Sequence, residues 1–324
     1  MKINNLITAN AVFIASLAFS ATAVLAERPS GTPTCSFKGG AYYSSNNTLY
    51  LESFADTSAA IVFDQTAAEC VNGSNPSANP TIVVQRDTPL KANSTIVLPF
   101  QADLNTECVK VYLVDNFNNA SGTWEAVGYA AKGDVGAYTP YIMVSNTKEE
   151  GCEAITEIPF TAKSKHFDPI PASMPLNSGL YNGETHKEDF VLTGTFEYIK
   201  WDKDKETISG IYGYAAKDKG TVSGGQFVKV GSGAYLPPLR AYLQYIGNDN
   251  AMLKKSSNNV KKVELPEVIN VRLVDGDSTL SVGKLNTFTG EIQMDSRRFD
   301  LNGRAINAKP ANHGVYVGKQ KMVR

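Results

Sequence analysis

The sequence CVKVYLV at residues 108–114 decides the fold class. Val109, Val111 and Leu113 occupy every second position, so an extended backbone places these three apolar side chains on one face. The sequence INVRL at residues 269–273 alternates strictly between apolar and polar residues. A hydrophobic period of two predicts β-strands in both places.

Further strand candidates lie along the chain, and each is short, rich in β-branched or aromatic residues and bounded by Gly, Pro, Asn or Asp. They are residues 81–85, 94–100, 141–144, 190–201 and 225–230. After the N-terminal apolar segment, no long window keeps the i, i+3, i+4, i+7 pattern of an amphipathic helix. The sequence therefore predicts an all-β protein of one or two antiparallel β-sandwich-like units, with a short C-terminal β tail.

Composition excludes two classes of protein. The 324 residues include 31 Lys and Arg and 32 Asp and Glu, and 42% are hydrophobic. A disordered tail protein would have fewer apolar residues and a less balanced charge. A dedicated nucleic-acid binder would have a basic excess, which this chain lacks.

Residues 1–26 have the three-part layout of a secretory signal peptide. Lys2 is followed by an uncharged stretch whose most apolar part is AVFIASLAF at residues 11–19, and small residues precede Ala26. We expect cleavage after Ala26, with cleavage after Ala23 as the main variant. The alternative is an uncleaved anchor, but the apolar centre is short for a span of roughly 20 residues. We expect no transmembrane span after cleavage.

Cys35, Cys70, Cys108 and Cys152 all follow this leader. An even number of cysteines in an exported chain predicts disulfide bonds. Three pairings are possible, and the sequence does not choose among them; the sequential pairing, Cys35–Cys70 and Cys108–Cys152, is the simplest. Each bond would close a loop of about 40 residues and add roughly 4 kcal/mol to the stability. Buried free thiols are the alternative.

We divide the mature chain into four parts. Residues 27–80 form a disulfide-associated N-terminal segment, 81–247 a β-sandwich region, 248–267 a polar linker, and 268–324 a C-terminal β segment with a basic tail. The sequence GYAAK at residues 128–132 recurs at 213–217, so 81–165 and 190–247 are either diverged repeats or similar by chance.

No catalytic residue set stands out. The three histidines lie in a Pro- and Gly-rich connection and in the tail, and no HExxH, GxSxG or phosphate-binding motif occurs. The sequence DKDKE at residues 202–206 alternates carboxylates as calcium loops do, but Thr207 stands where such loops need glycine. We therefore predict a non-enzymatic protein without catalytic residues, a metal site or a cofactor.

Aromatic residues are the strongest hint of binding. Exposed rings on a sheet face can stack against sugars, because they offer a large contact area at low entropic cost. The alternative is that these rings pack in the core or across strands. The candidates for a ligand platform are Trp124, Trp201, Tyr129, Tyr212 and Tyr214.

The C-terminal sequence carries a more specific pattern. FDLNGR at residues 299–304 is followed by HGVYV at 313–317 and KQKMVR at 319–324. These residues resemble the end of the C-terminal sorting domains of the bacterial type IX secretion system. The resemblance implies translocation across an outer membrane, and its matching positions are Asp300, Gly303, Arg304, Gly314, Tyr316 and Lys321.

The body of the chain also resembles a known group. The segments STIVLPF (94–100), AYTPYI (137–142) and FVKVGSGAYLPPLRAYL (227–243) are similar to uncharacterised secreted or surface β-domain proteins of Gram-negative gut and fibre-degrading bacteria. This resemblance implies a surface or extracellular module and carries no catalytic residue.

Together these features predict an exported cell-surface or extracellular β-protein with a structural or adhesive role. The alternative is a carbohydrate-binding module of a polysaccharide-degrading system. The expected partners are the export machinery, outer-membrane secretion machinery, and polysaccharides or other surface proteins, with no nucleic acid among them.

Overall fold

A computed structural model of the chain describes residues 31–90, 93–120, 123–146, 151–171, 190–202, 208, 210–246 and 265–275, together with four short strands beyond them. The described part contains one helix, α1 (Gln65–Gly73), and is otherwise made of strands and connections. The strands are β1 (Cys35–Phe37), β2 (Gly40–Tyr43), β3 (Thr48–Ser53), β4 (Thr81–Leu90), β5 (Asn93–Val97), β6 (Ala102–Leu104), β7 (Val109–Ala120), β8 (Thr123–Ala130), β9 (Asp134–Val135), β10 (Pro140–Ser145), β11 (Ile155–Ala162), β12 (Phe190–Thr195), β13 (Ile199–Lys200), β14 (Ile211–Tyr214), β15 (Phe227–Lys229), β16 (Tyr235–Leu236), β17 (Arg240–Tyr245), β18 (Val268–Val274), β19 (Gly283–Asn286), β20 (Glu291–Met294), β21 (Arg298–Phe299) and β22 (Ala305–Ile306).

The first sheet has seven strands in the order β1-β2-β3-β4-β11-β6-β9. Its β3 and β4 run parallel, and a parallel pair needs a crossover connection, which here contains α1. The helix begins after Asp64, whose carboxylate accepts the Ala67 N–H at 3.0 Å. This N-cap bond satisfies a backbone donor that the first helical turn leaves free.

The second sheet has nine strands in the order β12-β17-β14-β15-β18-β8-β7-β10-β5. Its strands are antiparallel neighbours except for β18 and β8, which run parallel. The sheet curves until β5, at one end of the order, meets β17 near the other end. There the Val97 N–H donates to Leu239 O at 3.1 Å, and the Leu239 N–H donates to Thr195 O at 2.8 Å.

Some strands of the second sheet face two cores. Along β10, Tyr141 and Met143 belong to a core cluster shared with the first sheet, whereas Ile142 belongs to a second cluster lined by the curved sheet. Neighbouring residues of a strand point to opposite faces. The strands β5, β7 and β10 therefore form a layer between the two cores.

The structure confirms the all-β prediction, and both sheets are mixed rather than purely antiparallel. The predicted alternation at residues 108–114 is present, since Val109, Val111 and Leu113 face the first core while Tyr112 and Val114 face the second.

Each sheet contains strands from more than one of the segments drawn in the sequence. Strands from residues 27–80 belong to the same sheet as β4 and β11, and strands from 190–247 share the second sheet with β5, β7, β8 and β10. The strand β18 begins the predicted C-terminal segment, yet it lies inside the second sheet. Residues 1–30, most of the 248–267 linker and most of the tail lie outside the described residues.

Candidate functional site

The structure places the five predicted platform residues in different environments. Trp124 and Tyr212 are 8% and 0% exposed and lie in the second core cluster. Tyr214 packs against the same cluster, with its ring 5.0 Å from that of Phe227. Tyr129 is the exposed member of the set, at 43%. The five rings therefore form no common exposed platform, because three of them face the inside of the curved sheet.

Trp201 lies at a different surface, next to a two-stranded ribbon of β13 and β16. The backbone N–H of Trp201 donates to Ala234 O at 2.8 Å, and the backbone N–H of Gly233 donates to Trp201 O at 2.7 Å. These bonds extend the ribbon and hold the indole over the outer face of β17. There it meets the ring of Tyr242 edge-on, with 5.4 Å between ring centroids.

A second pair of rings lies on the same ribbon. Tyr198 and Tyr235 are half-buried and stack with 5.7 Å between centroids and 19° between planes. We refer to Tyr198, Trp201, Tyr235 and Tyr242 as the aromatic ribbon. Trp201 is a predicted platform residue, but the other three are not, because their grouping depends on the pairing of β13 with β16.

Two buried arginines meet where the two sheets join. Arg86 lies in β4 of the first sheet and Arg240 begins β17 of the second, and each is 8% exposed. Both guanidinium groups donate from Nη1 to the hydroxyl oxygen of Ser94 in β5, that of Arg86 at 3.4 Å. The Ser94 hydroxyl itself donates to Thr95 O at 3.4 Å. We refer to Arg86, Ser94 and Arg240 as the arginine cluster.

Two further contacts fix the orientation of the guanidinium groups. The Nε of Arg240 donates to the hydroxyl of Ser53 at 3.0 Å, and that hydroxyl donates to Pro238 O at 2.7 Å. The Nε of Arg86 donates to Thr88 O at 3.3 Å. The cluster thus takes residues from β4, β5 and β17, with a contact to Ser53 of β3. The sequence pattern does not reveal it, because these strands are far apart in the chain.

The arginine cluster carries two positive charges, and among the described residues only one negative charge, that of Asp87, acts on them. In the described part of the chain no carboxylate lies within ion-pairing distance of Arg86 or Arg240. Asp87 acts on both arginines electrostatically, but its Oδ2 accepts the Ala55 N–H at 2.6 Å. Because both guanidinium groups contact the same hydroxyl, their positive charges lie close together and repel each other.

The pKa values of both arginines reflect this environment. Burial lowers the pKa of Arg240 to about 10, against the opposing effect of the Asp87 charge. Burial lowers the pKa of Arg86 well below its usual range, and the positive charge of Arg240 lowers it further. Both effects arise because a charged guanidinium loses its hydration when it is buried.

The arrangement of the arginine cluster is suited to binding rather than to nucleophilic attack. Activation of a serine requires a neighbouring base that accepts its proton. The Ser94 hydroxyl instead faces two hydrogen-bond donors and gives its own proton to a backbone carbonyl. Buried guanidinium groups recognise anions, because they present several N–H donors in a planar fork.

Both disulfides have the sequential pairing. Cys35 in β1 is bonded to Cys70 in α1, and Cys108, just before β7, is bonded to Cys152, just before β11. The first bond holds the helix against the edge of the first sheet. The second joins the strands of the two sheets at their starts. The sequence predicted disulfide bonds and favoured this pairing only as the simplest of three, and it did not show which elements the bonds connect.

The histidines and the sorting-like tail are the remaining features singled out in the sequence. His166 lies 3.8 Å from Asp168, and both side chains are largely exposed. The residues of the sorting-like tail, Asp300, Gly303, Arg304, Gly314, Tyr316 and Lys321, lie outside the described residues. Among the residues that are described, no group of three or more His, Cys, Asp or Glu side chains is placed to hold a metal ion.

Comparisons with known proteins give no further information on the site. No protein-family model matches the chain, and neither a curated protein nor a solved structure matches it. In the described residues, no helix has the length and apolar character needed to cross a membrane. The functional information therefore comes from the fold, the disulfides, the aromatic ribbon and the buried arginine cluster.

Proposed function

We propose that the protein is an exported, non-enzymatic β-protein of the cell surface or extracellular space, with a structural or adhesive role. The observation that carries this proposal is the pair of disulfides, Cys35–Cys70 and Cys108–Cys152. Disulfides persist in oxidising compartments and are rare in the cytosol. The signal-like residues 1–26 supply the route of export.

The position of the bonds supports a mechanical or scaffolding role. Each disulfide ties down the start of a sheet strand, at Cys35 of β1 and at Cys108 before β7. Crosslinks restrict the unfolded chain and so favour the folded state. A protein that must persist outside the cell, without chaperones, benefits from such crosslinks.

Cell fractionation tests export. Intact cells that produce the full chain are treated with a protease, and the protein is detected by immunoblot with a cytosolic enzyme as the control. We expect the protease to remove the protein while the cytosolic enzyme survives. A chain that remains inside the cell with reduced cysteines would overturn the proposal.

The sorting-like tail has a separate test. A variant that ends at Asp295 retains β18 but lacks residues 296–324. We expect it to cross the inner membrane, form both disulfides and remain in the periplasm. Arrival of this variant at the outer face in normal amounts would show that the tail is not needed for sorting, and would leave export through the leader standing.

The second candidate function is binding of carbohydrate by the aromatic ribbon. The specific observation is the stacked pair of half-buried rings, Tyr198 and Tyr235, next to Trp201. Partly exposed rings on a short, hydrogen-bonded ribbon give sugars a rigid apolar surface with a wet edge. This surface replaces the platform that the sequence suggested.

A pull-down tests this second function. The purified mature protein is mixed with insoluble cellulose or xylan, and serum albumin serves as the control for non-specific retention. If the aromatic ribbon binds sugar, Tyr235→Ala is expected to lower retention at least about fivefold, whereas Tyr129→Ala, on an exposed ring elsewhere, is not. Retention of the unmodified protein no greater than that of albumin would exclude this function.

A further inference from the structure

We propose that the arginine cluster is a binding site for an oxyanion, namely a carboxylate or sulfate group of a ligand. The inference does not depend on the proposed surface function, because it concerns a different group of residues. Arg86 and Arg240 come from different sheets and converge on one hydroxyl, that of Ser94. Nothing in the described chain neutralises the second positive charge.

The hydrogen-bond inventory leaves donors for a ligand. A guanidinium group has five N–H donors and no acceptor. Arg86 uses Nε and Nη1 for Thr88 O and the Ser94 hydroxyl, and Arg240 uses Nε and Nη1 for the hydroxyls of Ser53 and Ser94. None of these hydrogen bonds to described residues uses the Nη2 group of either arginine. Carboxylates and sulfates have oxygens spaced to accept two such N–H groups at once.

The charge balance gives the sign of the ligand. Arg86 and Arg240 together contribute two positive charges. Asp87 contributes one negative charge, and its carboxylate also accepts a hydrogen bond from the Ala55 N–H. A buried charge without a counterion destabilises a folded protein. A bound monoanion would balance the remaining positive charge and reduce the repulsion between the two guanidinium groups.

The cluster lies next to an exposed segment of β4. Arg86 is buried, but it is followed directly by Asp87, which is partly exposed, and by Thr88, which is exposed. Arg240 is buried as well, and it lies two residues before Tyr242, on the same face of β17. An acidic sugar and a free inorganic anion are the two sources of such an oxyanion.

Thermal unfolding in defined anions tests the site. The mature protein and the variant Arg86→Met are compared in sodium chloride, sodium sulfate and sodium glucuronate at equal ionic strength, with glucose as the neutral sugar. Sulfate raises Tm of most proteins by exclusion from their surface, and Arg86→Met reports that general effect. Arg272→Met serves as the matched control, because Arg272 lies on β18 with a Glu125 partner.

We expect sulfate or glucuronate to raise Tm of the unmodified protein and of Arg272→Met by at least about 2 °C more than it raises Tm of Arg86→Met. A response to sulfate but not to glucuronate identifies a free inorganic anion as the source, and the reverse identifies an acidic sugar. Equal shifts in all three proteins would overturn the proposal.

Isothermal titration calorimetry at low salt gives an answer even if Arg86→Met does not fold. We expect saturable heat when sulfate or glucuronate is titrated into the unmodified protein, and at least about tenfold weaker binding by Arg240→Lys, which keeps the charge but loses the planar fork. The absence of saturable heat with both anions at millimolar concentration would show that the cluster is not an anion site.

Discussion

The hydroxyl of Thr95 and the backbone of Ala241 are joined by two hydrogen bonds in opposite directions. The Oγ1 of Thr95 donates to Ala241 O at 2.9 Å and accepts the Ala241 N–H at 2.8 Å. A side chain of β5 thus takes the place that a neighbouring strand would fill beside β17. This contact joins the two ends of the second sheet's strand order.

The first prediction concerns this contact. Thr95→Val keeps the shape of the side chain but leaves the N–H and C=O of Ala241 without their partner. Since an unpaired buried polar group costs about 1–3 kcal/mol, we expect the free energy of unfolding to fall by about 2–4 kcal/mol in chemical denaturation.

Thr193→Val is the matched control for Thr95→Val. Among the described residues, the buried Thr193 hydroxyl has no hydrogen-bond partner, so its replacement by a methyl group removes an unsatisfied polar atom. We expect this variant to be as stable as the unmodified protein or slightly more stable. Equal losses in the two variants would mean that the bonds to Ala241 do not close the sheet.

The second prediction concerns the close approach of β12 to β5. A Cβ built on Gly194 would lie 2.9 Å from Cγ1 and 3.0 Å from Cγ2 of Val97. Gly194→Ala must therefore push the two strands apart, and overpacking of this kind costs about 1–3 kcal/mol. Chemical denaturation measures the loss, and the double variant Gly194→Ala/Val97→Ala is expected to recover part of it.

Gly73→Ala provides the comparison for Gly194→Ala. Nothing lies within 4 Å of a Cβ built on Gly73, at the end of α1. We expect its stability to change by less than about 0.5 kcal/mol. If Gly194→Ala behaved like Gly73→Ala, the tight contact between β12 and β5 would be absent in solution.

The third prediction concerns the disulfides. Their sequence separations of 35 and 44 residues give similar loop entropies, so removal of either bond should cost about 4 kcal/mol. We expect Cys35→Ala/Cys70→Ala and Cys108→Ala/Cys152→Ala to lose similar stability in denaturant. Mass spectrometry after alkylation checks the premise, because the untreated protein should take up no label and the reduced, unfolded protein four.

The fourth prediction concerns alkaline pH. Burial raises the pKa values of Tyr112, Tyr212 and Tyr214, and the charges of Asp275 and Glu267 add to the effect at Tyr112 and Tyr212 respectively. In the unfolded chain a tyrosine loses its proton near pH 10, while these three keep theirs in the fold. The unfolded state therefore releases protons first, and the free energy of unfolding should fall as the pH rises above about 10.

Unfolding in denaturant between pH 8 and pH 11 measures this dependence. Tyr212→Phe removes one titrating group and the bond from its hydroxyl to Pro266 O at 2.7 Å. We expect this variant to be less stable at pH 8 by about 1 kcal/mol and to lose less stability than the unmodified protein on going to pH 11. Parallel pH curves for the two proteins would contradict the assignment.

The sequence pattern predicted strands well but could not predict their surroundings. At residues 108–114 the alternation correctly placed Val109, Val111 and Leu113 on one face. It did not reveal that the opposite face, with Tyr112 and Val114, is also buried. Alternation along one strand identifies two faces, whereas burial depends on which distant strands cover each of them.

The same limit explains the candidate sites. Tyr212 and Tyr214 share a face, as their spacing indicates, but that face points into the second core rather than to solvent. Arg86 and Arg240 look like ordinary charged residues at strand ends in the sequence. They become a site because strands separated by about 150 residues converge on Ser94, and no local pattern encodes that convergence.

The parallel pairing of β18 with β8 has a consequence for the order of folding. Residues 270–274 pair with residues 125–129, and β18 also pairs with β15, so it fills the gap between the two halves of the second sheet. Until β18 is available for pairing, β8 and β15 each present an open edge. Open edges invite pairing with other chains. When the chain is made from its N-terminus, the second sheet therefore cannot complete its strand pairing until the last quarter of the chain is present. A chaperone that covers the edges of β8 and β15 during that interval would raise the yield of folded protein.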